Sequence, residues 1–367
     1  MIIYRPKETD MSEITGLNEM PKKKKKKKST AGYVVAIVLL SIITLASLVV
    51  AYQSVKLYKD SIKEEETEVV EITYTQEEVD EMVKLAREDA AEQATAGFYA
   101  ELKDTAENSN GIVSMLRKMY PEYFVYYNNN HSEFVEIDHT IPQANFENEN
   151  IIASEGFLEY KVDGETKSVK GIDVSKFQGD IDWQKVADSG VEYAMIRLGL
   201  RGYETGKLVT DENFKANVEG ATAAGIDVGV YFFTQAINPA EAREEAEYVL
   251  NEIAPYNITY PVAIDVEDLY NDKARSYNQS KESRTECAIA FMDAIKDAGY
   301  NPAIYGNLNT FTKLVEVNKL GEYDKWFALY DTQIYFPYEI TVWQYSDKGR
   351  IDGIEGDVDL NITFPKQ

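Results

Sequence analysis

After residue 170 the sequence repeats one pattern: short runs rich in β-branched and aromatic residues, with helical segments between the first five. The eight runs occupy 171–175, 193–199, 227–233, 261–267, 302–306, 326–330, 340–346 and 356–362. Strands that alternate with helices form mostly parallel sheets, so the pattern predicts an α/β fold. Eight strands in about 200 residues, with the last three closely linked, favour a TIM-like barrel with a shortened last quarter. An open doubly wound sheet is the alternative, but no glycine-rich phosphate loop follows the first run.

A different pattern lies near the N-terminus, where positions 29–55 contain no charged residue and positions 33–52 are almost wholly apolar. This run is long enough to span a bilayer, which takes about 20 residues. Seven consecutive lysines at 22–28 precede it, and basic flanks remain cytoplasmic. We therefore predict a single-pass membrane protein with a cytoplasmic N-terminus and an extracellular C-terminal part. A cleaved signal peptide is the alternative, but its apolar region would be shorter and followed by an Ala-x-Ala-like site.

Two regions of different composition separate the apolar run from the eight-strand segment. Residues 56–110 are rich in Glu, Lys and Ala, and Thr75 and Glu78 have the spacing of a capping box at the start of a helix. Residues 111–170 combine one helical run with extended runs around Asn128 and an Asp163-Gly164 hairpin signal. The predicted organisation is a basic cytoplasmic tail (1–30), a transmembrane helix (31–55), a helical stalk (56–110), a small α+β module (111–170) and a barrel (171–367).

Composition restricts the chemistry that the barrel can perform. The chain has 63 acidic and 38 basic residues, a net charge of −25, which argues against binding nucleic acid through a basic face. The single cysteine, Cys287, cannot form an internal disulfide, a cysteine-based zinc site or an iron–sulfur site. Both histidines, His131 and His139, precede the barrel, which excludes Ser-His and Cys-His catalysis within it. Catalysis there must use carboxylates, and we predict no cofactor and no metal.

Several carboxylates fall where the predicted strands end. Asp173 lies near the end of the first strand, Asp265 and Glu267 end the fourth, and Asp357 and Asp359 lie in the eighth. In a closed barrel the eighth strand lies beside the first, and active sites form at the carboxyl ends of the strands. These acids are therefore expected to converge on one mouth.

The spacing of Asp265 and Glu267 is informative because strand side chains repeat every two residues, so both acids face the same side. Crowded like charges raise the proton affinity of one carboxyl, which leaves a protonated acid beside an ionised partner. Glycoside cleavage requires such a pair. The acids could instead ligate a divalent cation or pair with Arg197 or Lys176.

Aromatic residues near the same strand ends favour a sugar substrate, because aromatic rings suit the C–H faces of sugars. They are Tyr231, Phe232, Phe233, Tyr305, Trp326, Tyr330, Trp343 and Tyr345. Tyr231 and Trp343 are the stronger candidates for substrate contact because polar residues, such as Gln344, adjoin them.

Residues 171–364 resemble the glycoside hydrolase family 25 lysozymes, the Chalaropsis-type N-acetylmuramidases. The matching motifs are Gly-Ile-Asp-Val-Ser-Lys-Phe-Gln-Gly (171–179), Arg-Leu-Gly (197–199), Gly-Val-Tyr-Phe-Phe (229–233), Ile-Asp-Val-Glu (264–267), Trp-Phe-Ala-Leu-Tyr (326–330), Trp-Gln-Tyr (343–345) and Val-Asp-Leu-Asn (358–361). The resemblance implies an irregular (β/α)5β3 barrel that cleaves the β-1,4 bond between N-acetylmuramic acid and N-acetylglucosamine in peptidoglycan.

The resemblance also implies roles for single residues. Glu267 corresponds to the proton donor and Asp265 to its partner, while Asp173 and Asp359 complete an acidic floor. The residues expected to bind substrate are Tyr231, Tyr305, Tyr330, Trp343, Gln344 and Arg197. The chain departs from the family pattern in two places: its second strand lacks a Lys-x4-Glu-Gly continuation, and Asp357 competes with Asp359 for the last acidic position.

Topology and motifs together predict a membrane-anchored muramidase that acts on peptidoglycan glycan strands for local wall remodelling, with envelope-machine partners unspecified. A catalytically silent, glycan-binding wall scaffold is one alternative, although such a protein has no need of a costly acid pair. A chitinase-type glycosidase is another, but Pro261 and Val262 precede the acid pair where that family continues with acids and glycine.

Overall fold

The computed structural model describes residues 31–61, 74–107, 111–128 and 131–365. They form two compact units, one ending at Tyr120 and the other beginning at Pro121. The basic tail at 1–30 lies outside the described residues.

The first unit is helical and consists of α1 (Ala31–Ser61), α2 (Gln76–Glu107) and α3 (Gly111–Met119). Within the described residues, one segment, Ser41–Lys59 of α1, is long and apolar enough to cross a membrane. The predicted capping box precedes α2 and is confirmed: the Glu78 N–H donates to Thr75 Oγ1 at 3.3 Å, and the Thr75 N–H donates to Glu78 Oε2 at 2.7 Å. These two bonds satisfy amide donors that the start of a helix leaves unpaired.

The second unit begins with two small antiparallel sheets. One is a hairpin of β1 (Tyr123–Asn128) and β2 (His131–Glu136), and the other joins β3 (Ile151–Ser154), β4 (Phe157–Val162) and β5 (Glu165–Thr166). Asp163 and Gly164 connect β4 to β5 with φ of 52° and 82°. Two successive left-handed residues favour a type I′ turn, which confirms the hairpin signal at this position. Asn129 and Asn130, in the other predicted turn, lie outside the described residues.

All eight predicted strands of the barrel are present, together with one short additional strand. The strands are β6 (Lys170–Val174), β7 (Tyr193–Arg201), the additional β8 (Leu208–Thr210), β9 (Asp227–Phe233), β10 (Val262–Asp265), β11 (Pro302–Asn307), β12 (Asp324–Ala328), β13 (Val342–Gly349) and β14 (Val358–Thr363). The helices between them are α4 (Trp183–Asp188), α5 (Phe214–Ala223), α6 (Pro239–Ile253) and α7 (Lys281–Asp297), and a π-helical turn (Thr310–Leu314) and a 3₁₀ turn (Val317–Leu320) follow β11.

The eight strands close into a barrel, as expected, and do not form an open sheet. Parallel pairing runs from β6 through β7, β9, β10, β11 and β12 to β13. The strand β14 is antiparallel to both β13 and β6, and so closes the ring. Because β14 runs in the opposite direction, its first residues lie at the same edge as the carboxyl ends of the other strands.

Strand alternation divides the barrel core into an inner and an outer layer. The inner layer includes Tyr193, Met195, Ala263 and Trp326, whereas a larger cluster packs between the strands and the helices. Tyr193 is fully buried, and its ring stacks on that of Tyr260 with 4.3 Å between centroids. A Cβ atom at Gly171 would lie 2.1 Å from the Tyr193 ring, so glycine makes room for this tyrosine. The inner layer thus fills the barrel below its mouth.

The segment before the barrel packs against it within the second unit. The Phe124 ring of β1 packs edge-on against the Phe336 ring with 6.0 Å between centroids, and Phe336 stacks on Phe327 of β12 with 4.3 Å between centroids. The Asp138 N–H donates to the Tyr338 hydroxyl at 3.1 Å. These contacts fix the β1–β2 hairpin beside β12 and the loop that follows it.

Candidate active site

Four carboxylates meet at the mouth of the barrel. Asp173 lies in β6, Asp265 is the last residue of β10, and Glu267 follows two residues later. Asp359 lies at the start of β14, directly opposite Asp173 in the antiparallel register. All four line one cavity of about 280 Å³. The structure therefore brings together four of the five acids that the sequence singles out.

Aromatic and polar side chains complete the lining of this cavity, which we call the catalytic cavity. They are Arg197, Tyr231, Phe233, Tyr305, Trp326, Tyr330 and Gln344. Five of the six residues expected to bind substrate therefore line it. Within the residues that the structure describes, no three His, Cys, Asp or Glu side chains are arranged to hold a metal ion.

Two side-chain amides hold the buried Asp173 carboxylate. Its Oδ2 accepts a hydrogen bond from Gln344 Nε2 at 2.7 Å and another from Asn361 Nδ2 at 2.8 Å. Burial raises the pKa of Asp173 well above its usual range, and the nearby Asp359 charge raises it further, whereas the two amides oppose the shift. Burial also raises the pKa of Asp359, to about 6.

Further hydrogen bonds orient these two amides. Gln344 Oε1 accepts from the Tyr305 hydroxyl at 2.9 Å and from the Tyr330 hydroxyl at 3.1 Å, so its amide nitrogen faces Asp173. Asn361 Oδ1 accepts from Trp326 Nε1 at 2.8 Å, which turns the Asn361 nitrogen the same way. Sequence reasoning assigned no role to Asn361, although its position two residues after an acid on one strand is a signal that it faces the mouth.

Asp265 and Glu267 form the second carboxyl pair. Asp265 is 4% exposed, and its Oδ1 has no hydrogen-bond partner among the described residues. Burial raises the pKa of Asp265 well above its usual range and the Glu267 charge adds to the shift, while Arg197 opposes it. Burial also raises the pKa of Glu267. The pair therefore favours the state with one proton shared between a neutral acid and an ionised partner.

Arg197 lines the catalytic cavity but is already paired. Its Nε and Nη2 donate to Asp211 Oδ2 at 2.7 and 2.6 Å, and the Asp211 side chain is completely buried. The guanidinium also lies over the Phe177 ring, 5.0 Å from its centroid. The sequence suggested that Arg197 would pair with the mouth acids or bind substrate. It offered no signal for Asp211, which lies in a loop after β8.

The structure does not bring two other candidates to the catalytic cavity. Trp343 is fully buried, its Nε1 donates to the Leu329 carbonyl at 2.8 Å, and its ring packs against Tyr345 in the outer layer. This placement corrects the expectation that Trp343 contacts substrate, because its neighbour Gln344 takes the inward position on the strand. Asp357 precedes β14 and forms an ion pair with Arg350 at 2.7 Å. Of the two acids near the last strand, only Asp359 lines the catalytic cavity.

Comparison with known proteins finds relatives of the barrel. Residues 172–354 match the model of glycosyl hydrolases family 25. The autolytic lysozyme of Clostridium acetobutylicum is 29% identical over 197 residues, 53% of this chain and 55% of the relative. Lysozyme M1 of Streptomyces globisporus is 29% identical over 209 residues, 54% of this chain and 68% of the relative. The chain thus spans about half the length of the first of these relatives.

Two solved structures also align with the chain. A family 25 glycosyl hydrolase from Bacillus anthracis aligns with a TM-score of 0.47 and 23% identity, over 57% of this chain and 94% of its own. The bacterial lysozyme from Streptomyces coelicolor aligns with a TM-score of 0.43 and 27% identity, over 54% and 93%. On the family match over residues 172–354, the barrel of this chain belongs to glycosyl hydrolases family 25.

Proposed function

We propose that the chain is a muramidase that hydrolyses the β-1,4 bond between N-acetylmuramic acid and N-acetylglucosamine in peptidoglycan. The observation that carries this proposal is the pair of buried Asp265 and half-buried Glu267, which shares one cavity with Asp173, Asp359 and three tyrosines. A proton-donating acid beside an ionised carboxylate is the arrangement that glycoside cleavage requires. The names of the curated relatives, an autolytic lysozyme and Lysozyme M1, support the choice of peptidoglycan.

In the proposed reaction, Glu267 donates its proton to the glycosidic oxygen as the bond to the anomeric carbon breaks. Asp265 stabilises the positive charge that develops on the sugar, or orients its N-acetyl group. Water then supplies the hydroxyl group to the anomeric carbon, and its second proton returns to the carboxyl pair. Asp173 and Asp359 form the acidic floor beneath the sugar.

The remaining cavity residues are proposed to bind the sugar rings. Tyr231, Tyr305 and Tyr330 offer aromatic surfaces and hydroxyls, and Gln344 and Arg197 offer polar groups. We also assign the barrel to the irregular (β/α)5β3 arrangement. Five strands followed by helices or helical turns, and then three strands without them, support that assignment.

We further propose that α1 anchors the protein in the cell membrane with its N-terminus in the cytoplasm and the barrel outside. The apolar Ser41–Lys59 segment and the lysines at 22–28 support this topology. The 32 residues of α2 then form a stalk of about 48 Å at 1.5 Å per residue. Such tethering confines the enzyme to nearby wall and suits local remodelling.

Mass spectrometry of the protein from membranes tests the anchor. An uncleaved N-terminus, with the barrel digested by protease added to intact cells, is the expected result. A mature chain that starts after the apolar run would show that α1 carries a cleaved signal, which is the competing interpretation.

The activity is tested with the full chain purified in detergent and incubated with purified peptidoglycan, followed by borohydride reduction and mass spectrometry. Wild type is expected to produce reduced N-acetylmuramic acid ends, and Glu267→Gln is expected to lose at least about 100-fold in rate, because general acid catalysis contributes 10²–10⁴-fold. Glu219→Gln, on the exposed face of α5, is the matched control and keeps wild-type activity.

Three outcomes contradict the proposal in different ways. Unchanged cleavage by Glu267→Gln shows that another group is the acid. Absence of new ends from folded wild type favours the glycan-binding scaffold. Cleavage of chitin without cleavage of peptidoglycan favours the chitinase-type alternative.

A further inference from the structure

A second compartment, of about 390 Å³, adjoins the catalytic cavity. Glu267, Tyr305 and Tyr330 line both spaces, so the two meet at the proposed proton donor. Part of the wall of the second compartment comes from the β1–β2 hairpin through Tyr126 and Asn128. This hairpin lies upstream of residues 172–354, the part of the chain that matches the family. The groove is therefore extended by a segment outside the matched domain.

One carboxylate joins the hairpin to the barrel at this wall through hydrogen bonds. Glu133 of β2 accepts hydrogen bonds from the Tyr126 hydroxyl at 2.7 Å and from Asn128 Nδ2 at 2.6 Å. It also accepts from Lys313 Nζ at 2.9 Å, and Lys313 belongs to the π-helical turn after β11. These donors, with the Tyr126 hydroxyl first, lower the pKa of Glu133 to about 2, so the carboxylate stays ionised. The hairpin and the barrel thus share a polar junction whose three donors, Tyr126, Asn128 and Lys313, line the compartment.

The lining of the compartment has the chemistry of a sugar site. Tyrosine rings, side-chain amides and one ammonium group surround it: Tyr270, Tyr305, Tyr330, Asn128, Asn307, Asn309 and Lys313. Aromatic faces pack on the C–H faces of sugars, while amides and ammonium groups pair with hydroxyls and carboxylates.

Tyr270 independently supports a sugar site, because its side chain is exposed to solvent while its backbone adopts a strained conformation. Its side chain is 78% exposed, and its φ of 48° lies in the left-handed region that side-chain-bearing residues rarely adopt. The Tyr270 N–H donates to Asp268 Oδ1 at 2.9 Å, which stabilises this turn. Packing does not explain an aromatic ring displayed in this way, whereas a stacking role toward a sugar does.

We propose that this compartment binds the saccharide units on the leaving-group side of the scissile bond, and that the β1–β2 hairpin is a substrate-binding wall. The inference rests on the proposed muramidase function. A proton donor must lie at the oxygen that joins the two sugars, so Glu267 marks the boundary between the two spaces. Asp173, Asp265 and Asp359 line only the catalytic cavity, where the positive charge develops. The compartment on the other side of Glu267 therefore faces the leaving group.

The test measures binding of a peptidoglycan-derived tetrasaccharide to the full chain that carries Glu267→Gln, so that the ligand is not consumed. Two changes are added separately: Asn128→Ala, which removes an amide from the wall, and Glu133→Gln, which weakens the junction. The matched control is Glu136→Gln, the same substitution on the same strand. Residues 133 and 136 project to opposite faces of β2, and Glu136 is exposed.

By isothermal titration calorimetry, each wall change is expected to weaken tetrasaccharide binding about tenfold, which corresponds to about 1.4 kcal/mol. The control is expected to bind like its parent. In the otherwise wild-type enzyme, Glu133→Gln is expected to raise KM about tenfold with kcat within about twofold, because it removes binding that is uniform between substrate and transition state.

Equal affinity of both wall variants and the parent would overturn the proposal, as would an equal loss in Glu136→Gln or no binding to the parent. Failure of wild type to cleave peptidoglycan is a separate result. It would contradict the proposed function, whereas the contribution of the hairpin to glycan binding is still measured with the Glu267→Gln protein.

Discussion

Replacing Asp359 with asparagine is expected to stabilise the protein at neutral pH, even though the residue is assigned to the active site. Burial raises the pKa of Asp359 from 3.8 to about 6. A difference of about two pKa units corresponds to about 3 kcal/mol, and solvent screening of this half-buried side chain reduces the figure to about 1–2 kcal/mol. The Asp359→Asn variant has a neutral amide in place of the carboxylate, so it avoids this penalty.

The raised pKa of Asp359 also determines how the stability gain of Asp359→Asn changes with pH. Between pH 3.8 and about 6 the folded state binds a proton at Asp359 more tightly than the unfolded state does. The free energy of unfolding therefore falls as pH rises through this window, and the penalty is complete above it. Asp359→Asn should gain about 1–2 kcal/mol at pH 7.5 and almost nothing near pH 4. For a unit of this size, the gain raises the Tm by about 2–8 °C.

Calorimetric melting of the full chain and the variant at the two pH values is the assay. Asp357→Asn, the same substitution two residues away, is the control. Asp357 is partly exposed and paired with Arg350 at 2.7 Å, so its loss is expected to change stability by less than about 1 kcal/mol and not to raise it. A lower Tm for Asp359→Asn at pH 7.5, or the same gain at both pH values, would refute the reasoning that burial of this charge opposes folding.

Two further predictions concern packing at the mouth and in the inner layer below it. Asp211→Ala leaves the Arg197 guanidinium without its carboxylate and should lower the free energy of unfolding, measured with urea, by about 3 kcal/mol. The control Glu212→Ala removes the exposed neighbouring acid and should lower it by less than about 1 kcal/mol. Similar losses in the two variants would show that the Arg197 pair contributes no more than a surface contact. Gly171→Ala places a Cβ atom 2.1 Å from the Tyr193 ring and should lower the free energy of unfolding by about 1–3 kcal/mol, measured by thermal melting. An unchanged Tm would contradict the conclusion that side chains fill the inner layer of the barrel.

Much of the fold can be predicted from the sequence because the patterns that indicate its elements are local. The eight strands lie where the β-branched and aromatic runs predict them, and the Thr75 and Glu78 box caps α2 as its spacing indicates. The Asp163-Gly164 turn follows from the left-handed conformation that such residues tolerate. Each of these features depends on a few consecutive residues, which the sequence displays directly.

The convergence of the acids is predictable for a related reason. Period-two alternation places Asp265 and Glu267 on one face of their strand, and barrel closure places Asp359 beside Asp173. The family motifs then suggest roles for all four. What the sequence determines by itself is therefore the order of the elements, the edge of the barrel that carries the chemistry and the acids at that edge.

Only the tertiary structure decides which partners these residues meet. The sequence contains no sign that Asp211 pairs with Arg197, or that Trp343 is buried in the outer layer while Gln344 faces Asp173. Nor does it show that Asn128, far upstream, forms a wall next to Glu267. These relations join residues distant in the chain, and they depend on strand stagger, loop path and burial. The pKa shifts of the acids follow from the same burial, so the tertiary structure decides them as well.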